Sequence, residues 1–128
     1  NSGDMRKPQL LTDAEPEVWI SQAFTQEAVQ TVGEDLKEVV NSSEGTGYGL
    51  HMDGIELAGK TGTAEIKDSV EDQNGTELGW MAVYTTDPNT EKPLLLLTMV
   101  EDVKDRGGSG YVVDSLRPVL ESYLTDGQ

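Results

Sequence analysis

Two overlapping patterns carry the residues best able to do chemistry, and both include Lys60. Gly54-Ile55-Glu56-Leu57-Ala58-Gly59-Lys60-Thr61 fits the phosphate-binding pattern G-x-x-x-x-G-K-[ST]. Leu94–Val100 followed by Glu101-Asp102 imitates the strand and acid that hold magnesium in such proteins. That chemistry needs a strand before Gly54, a loop whose N–H groups curl round phosphates, and a helix from Lys60. The residues before Gly54 are polar and glycine-rich, and Ile55–Ala58 has strand composition. Thr61–Asp68 starts a helix poorly. The second pattern is Lys60-Thr61-Gly62-Thr63 on a strand edge. There Lys60 offers a positive charge and the hydroxyls of Thr61 and Thr63 offer hydrogen bonds, so the three can converge on a carboxylate. Gly62 would admit a close-lying ligand, and the edge itself can grip an extended peptide through its main chain.

These residues need elements to position them. Apolar residues Ala28, Val29, Val32, Leu36, Val39 and Val40 recur at helical spacing, predicting a helix over Thr25–Asn41 with Thr25 as N-cap. A loop with three glycines follows, Asn41–Gly49. Ile55–Ile66, Leu78–Thr86 and Pro93–Val100 read as three strands. Asn74-Gly75 and Asp87-Pro88-Asn89-Thr90 mark the turns, so the pairing is expected to be antiparallel. Gly110–Leu124 reads as a second helix, with Val112, Val113, Leu116, Val119, Leu120, Tyr123 and Leu124 on one stripe and a kink at Pro118. Asn1–Glu17 reads as an extended lead-in whose apolar pairs, with Val18-Trp19-Ile20 beyond it, pack on something. The fold class is α+β, an antiparallel sheet of three strands flanked by helices.

The chain has 128 residues, 24 Asp and Glu against 9 Lys and Arg, one His and no Cys. A net charge of −15 argues against nucleic acid, which is bound chiefly through Lys and Arg. It also argues against a phosphate loop. Absent cysteine excludes disulfides and a thiol nucleophile. No apolar window is long enough for a transmembrane span, and the start at Asn1 rather than Met suggests a trimmed chain.

Beyond Lys60–Thr63, the segments Asn1–Pro8, Glu44-Gly45-Thr46-Gly47, Leu57–Glu65, Gly79-Trp80, the pair Gly107-Gly108 and the helix carrying Pro118-Val119-Leu120 stand in a definite order. That order resembles class B penicillin-binding proteins, in which K-T-G marks a strand walling the active-site cleft. Lys60–Lys67 and Val100–Gly107 look most like the low-affinity, resistance-associated enzymes of Gram-positive bacteria. The resemblance covers nearly the whole chain but only the C-terminal part of the transpeptidase domain. No Ser is followed three residues later by Lys, and no S-x-N occurs. Ser2-Gly3-Asp4 only superficially imitates the latter, because it falls within the N-G-G-x-M-x-x-P-like stretch.

The resemblance implies the β-lactamase/transpeptidase-like fold, with residues 1–128 its C-terminal portion and the serine-bearing half absent. It implies a D,D-transpeptidase that cross-links peptidoglycan in a membrane-anchored parent on the extracytoplasmic face of a bacterial cell. This chain alone would be inactive. Lys60 and Thr63 are the implied catalytic residues, Lys60 electrostatic and proton-relaying, Thr63 through an oxyanion-hole N–H. Thr61, Gly62 and Thr63 are the implied substrate contacts. The implied partners are the D-Ala-D-Ala stem peptide, β-lactam antibiotics and the upstream half, with self-association of an isolated fragment also expected. No cofactor or metal is implied. A serine β-lactamase, a non-catalytic β-lactam sensor and, remotely, a nucleotide-binding protein stay open as alternatives.

Each residue also has a plainer reading. Lys60 could be a solvated charge balancing Glu56 and Glu65, and Thr61 and Thr63 are ordinary strand formers. Trp80 and Tyr84 are expected to pack in the core, His51 to be a loop histidine, and Glu71-Asp72 and Glu101-Asp102 to be solvated loops.

Overall fold

The computed structural model describes residues 3–10, 13–72 and 74–125. The chain divides into two compact units, residues 1–35 and 36–128, with the boundary inside a helix.

In the first unit, β1 (Met5–Arg6) pairs antiparallel with β2 (Val18–Ile20). The lead-in therefore contains a small sheet, which is too short for alternation to reveal. Within this chain its apolar residues find no cover: Leu10 is fully exposed, and Val18, Trp19 and Ile20 lie on the surface. Leu11 lies outside the described residues. The helix α1 (Gln26–Asn41) starts where its cap predicts, Thr25 Oγ1 accepting from the Ala28 N–H at 3.2 Å.

The second unit holds the C-terminal end of α1, a 3₁₀ turn (Tyr48–Leu50), β3 (Leu57–Ile66), β4 (Thr76–Thr85), β5 (Leu95–Val100) and α2 (Ser109–Thr125). The three strands form one antiparallel sheet in the order β3-β4-β5. Ile55, expected to open the first strand, forms only an isolated bridge with Met52. The strand begins two residues later.

Residues paired across strands share a face. Leu57, Met81 and Val83 turn one face toward α2 and, with Val40, Leu50, Val103, Val112 and Leu120, make a fully buried core. Gly79 lies on this face too, and a β-carbon there would come within 2.7 Å of the Val112 side chain. α2 buries Val112, Val113, Leu116, Leu120 and Leu124, but Val119 and Tyr123 leave the predicted stripe for the surface. It runs as one helix through Pro118. The neighbouring Arg117 donates to the carbonyls of Gly49 and His51 at 3.0 and 2.6 Å, fastening the 3₁₀ segment to α2.

The opposite face is where Trp80 and Tyr84 lie, so the expectation that they join the core is corrected. They are paired with Met99 and Leu95, and Ala82 with Leu97. Leu95, Leu97 and Met99 are 74%, 65% and 40% exposed. No described helix is long and apolar enough to cross a membrane.

Candidate active-site wall

The sequence of β3 decides which groups face outward at its free edge. The Thr86 N–H donates to the Glu56 carbonyl at 3.1 Å, which makes 56 and 86 a hydrogen-bonded pair just before the strand begins. Hydrogen-bonded pairs alternate along an antiparallel ladder, so Ala58, Lys60, Gly62 and Ala64 turn their main-chain groups toward β4. Gly59, Thr61, Thr63 and Glu65 turn theirs away from it. Two contacts agree with this phase: the Leu57 carbonyl accepts from Asn41 Nδ2 at 2.8 Å, and the Thr61 carbonyl accepts from Lys60 Nζ at 2.7 Å. At Thr63 the N–H thus points off the sheet edge, and its side chain is exposed.

Side chains alternate as well. Lys60 and Gly62 project from the face that carries Ala82 and Trp80, while Thr61 and Thr63 project from the face of Met81 and Gly79. Lys60 and the two hydroxyls therefore leave β3 on opposite sides. Only the flexible stem of Lys60, curling to the edge at the Thr61 carbonyl, brings its ammonium toward the threonines. Lys60 balances neither of the acids expected of a merely solvated charge. Glu56 pairs with Lys37 at 3.0 Å and Glu65 with Lys67 at 2.6 Å. The bonds that Lys37 and Thr86 make to Glu56 hold its carboxyl below the ordinary glutamate range.

Gly62 has room for a side chain, since a β-carbon there meets only Trp80 Cβ at an ordinary 3.4 Å. Among the described residues nothing demands glycine at this position. Over Thr63 lies Gly108, with φ +63 and no side chain: its β-carbon position is 3.7 Å from Thr63 Oγ1. The Gly108 N–H bonds back to the Val103 carbonyl at 3.0 Å, and the Val103 N–H to the Glu77 carbonyl at 3.0 Å, so the 103–108 loop is anchored beside the start of β4.

Thr61 is only 8% exposed and its Oγ1 lies 2.7 Å from Thr46 Oγ1. Thr46, in the glycine-rich loop after α1, is a site neighbour that reading the sequence did not identify. Asn41 Nδ2 spans the Lys37 carbonyl and the Leu57 carbonyl, each at 2.8 Å, and so ties the end of α1 to the start of β3.

His51 is half-buried, stacked on Tyr48, with Nδ1 3.3 Å from Asn41 Oδ1 and Nε2 3.5 Å from Asp53. Among the described residues no three acidic or histidine side chains gather as a metal site. The phosphate-loop alternative is overturned here. Leu57–Ile66 is one continuous strand through Lys60, so neither the cradle nor the helix that phosphate binding requires exists.

The penicillin-binding protein transpeptidase domain family matches residues 1–121. A search of curated proteins finds penicillin-binding protein 3 of Bacillus subtilis (strain 168), 40% identical over 124 residues. The match takes in 95% of this chain and 18% of that protein's length. Among solved structures, the transpeptidase domain of penicillin-binding protein 3 from Burkholderia pseudomallei aligns with a TM-score of 0.59 at 22% identity, over 92% of this chain and 38% of that one. A structure from Atopobium parvulum aligns with a TM-score of 0.59 at 18% identity, over 95% and 30%. These two likenesses establish the mixed α+β fold.

Proposed function

The chain belongs to the penicillin-binding protein transpeptidase domain family, and from that premise we propose that it forms the K-T-G wall of a D,D-transpeptidase active site. Its serine nucleophile would lie on an upstream half of the same domain, in a class B enzyme of the low-affinity, resistance-associated kind. Such a parent is anchored in the membrane and works on its outer side. The free edge of β3 supports this reading most strongly. An extended stem peptide ending in D-Ala-D-Ala, or a β-lactam that imitates it, lies along the outward groups of Thr61 and Thr63 as an added strand.

In the reaction the serine oxygen attacks the penultimate D-Ala carbonyl, and the tetrahedral oxyanion accepts hydrogen bonds from the serine's own N–H and from that of Thr63. The amide bond breaks, D-Ala leaves with the proton relayed to its nitrogen, and the acyl group passes to an amine of a neighbouring strand. With a β-lactam the ring amide opens instead and the acyl-enzyme persists. Lys60 acts through charge and proton relay at the border with the upstream half. The Thr63 hydroxyl, and that of Thr61 through its narrow opening, hold the substrate carboxylate.

The apolar face of Leu95, Leu97 and Met99 supports the presence of that upstream half, since an exposed apolar patch of this kind marks an interface. Lys60 projects from this same face, where a serine-bearing element packed on the sheet would meet it.

Fluorescent penicillin provides the test. The gene product containing both halves takes a covalent label and this chain alone takes none. Labelling of the isolated chain would overturn the division of labour. A gene product with an upstream half that never labels would favour the non-catalytic sensor, and rapid loss of the label a β-lactamase.

A further inference from the structure

We propose that Thr46 is a positioning residue for the Thr61 hydroxyl, donating its own proton to Thr61 Oγ1 so that the Thr61 proton is directed to the ligand carboxylate. This rests on the reading of Thr61 as a carboxylate contact. Two hydroxyl oxygens 2.7 Å apart share a single proton between them, because each carries one donor and two acceptor sites. If Thr61 donated to Thr46, it would present lone pairs to an arriving anion. With Thr46 as donor, the Thr61 proton is free and its bond strengthened by the one it receives, since linked hydrogen bonds polarise one another.

The loop is built to hold Thr46 at this distance. The Gly47 N–H donates to the Val39 carbonyl at 2.9 Å, and a β-carbon on Gly45 would come within 2.3 Å of the same oxygen. The turn is thus pressed against the end of α1. Asn41 ties that end to β3 through the Leu57 carbonyl, so the two hydroxyls belong to elements locked together. At 8% exposure, Thr61 has little water with which to replace a lost partner.

The test compares acylation of the full-length protein by a peptide thioester bearing a free terminal carboxylate with acylation by the same thioester carrying a carboxamide. Thr46→Val is expected to lose about five- to tenfold with the carboxylate donor and nothing with the carboxamide, the scale of one net hydrogen bond. Thr46→Ser should restore the carboxylate preference, and Thr46→Val combined with Thr61→Val should be no slower than Thr61→Val alone. Equal losses with both donors, or an additive double variant, would mean a merely structural tie and overturn the proposal. Thr46→Ala gives the same comparison if the valine variant does not fold. Should Thr61→Val itself fail to discriminate between the donors, the carboxylate role of Thr61 falls, and this proposal with it. A discriminating Thr61→Val beside a silent Thr46→Val overturns the proposal alone.

Discussion

Gly62 separates what the chain needs for folding from what a ligand or neighbour needs. Its β-carbon position is open within this chain, so Gly62→Ala is expected to leave the melting temperature of the isolated chain unchanged or slightly raised, as alanine restricts the unfolded state. In the full-length protein the same change should slow acylation by penicillin, because the added methyl meets what packs outside β3. Calorimetry on the fragment and acylation kinetics on the parent check the two halves of this expectation. Lys60 and Thr63 stand out in the sequence as candidates because motif and strand pattern coincide there, and the ladder phase gives Thr63 an outward N–H. That Lys60 leaves the strand on the side opposite Thr61 and Thr63 follows from simple alternation. Reading the three as convergent donors ignored it. Thr46 stands in one of the segments the sequence singles out, but its contact with Thr61 was not legible, because that partner lies 15 residues away and no local spacing encodes a contact made by a loop folding back on a strand.

Among the elements, β3, β4, β5 and both helices were readable from periodicity and turn residues, with boundaries off by at most two residues. Their faces were not. β4 alternates Trp80, Ala82 and Tyr84 with Met81 and Val83, and when both faces are apolar the pattern cannot say which one meets the chain's own core. Here the buried face is Met81 and Val83, under α2. Leu120, fully buried between α2 and the sheet, is expected to cost about 2–5 kcal/mol when changed to alanine, through lost transfer energy and the cavity left behind. Urea unfolding of the fragment measures this. A second expectation concerns acid. Hydrogen bonds from Lys37 and Thr86 to Glu56, and from the Asn74 and Asp68 N–H groups to Asp72, hold both carboxyls below their ordinary values. A lowered folded-state value stabilises the fold above the unfolded-state pKa, and that contribution fades as pH falls through the lowered one. Stability should therefore decline from the ordinary carboxylate range downward, and Glu56→Gln should flatten the decline. A variant whose stability keeps the full acid dependence would show that Glu56 contributes none of it. Salt should weaken the effect, since the Lys37–Glu56 pair is exposed.

At the scale of the molecule, one sheet face is sealed by α2 and the other, with Leu95, Leu97 and Met99, meets solvent. An isolated chain with such a face, and with free edges at β3 and β5, is expected to self-associate as its concentration rises. Size-exclusion over a range of concentrations checks this, a constant monomer arguing against it, and addition of the upstream half should abolish the association. The chain spans 18% of the length of the curated relative it matches. The central claim is that the Thr63 N–H at the free edge of β3 holds the oxyanion, and Thr63→Pro tests it most directly. Because that N–H makes no bond to β4, proline at this edge position removes the donor without removing a rung of the sheet. In the full-length protein the second-order rate constant for acylation by penicillin should fall about 100- to 1000-fold while the melting temperature stays close to that of the unmodified protein. Acylation at the unmodified rate would contradict the assignment.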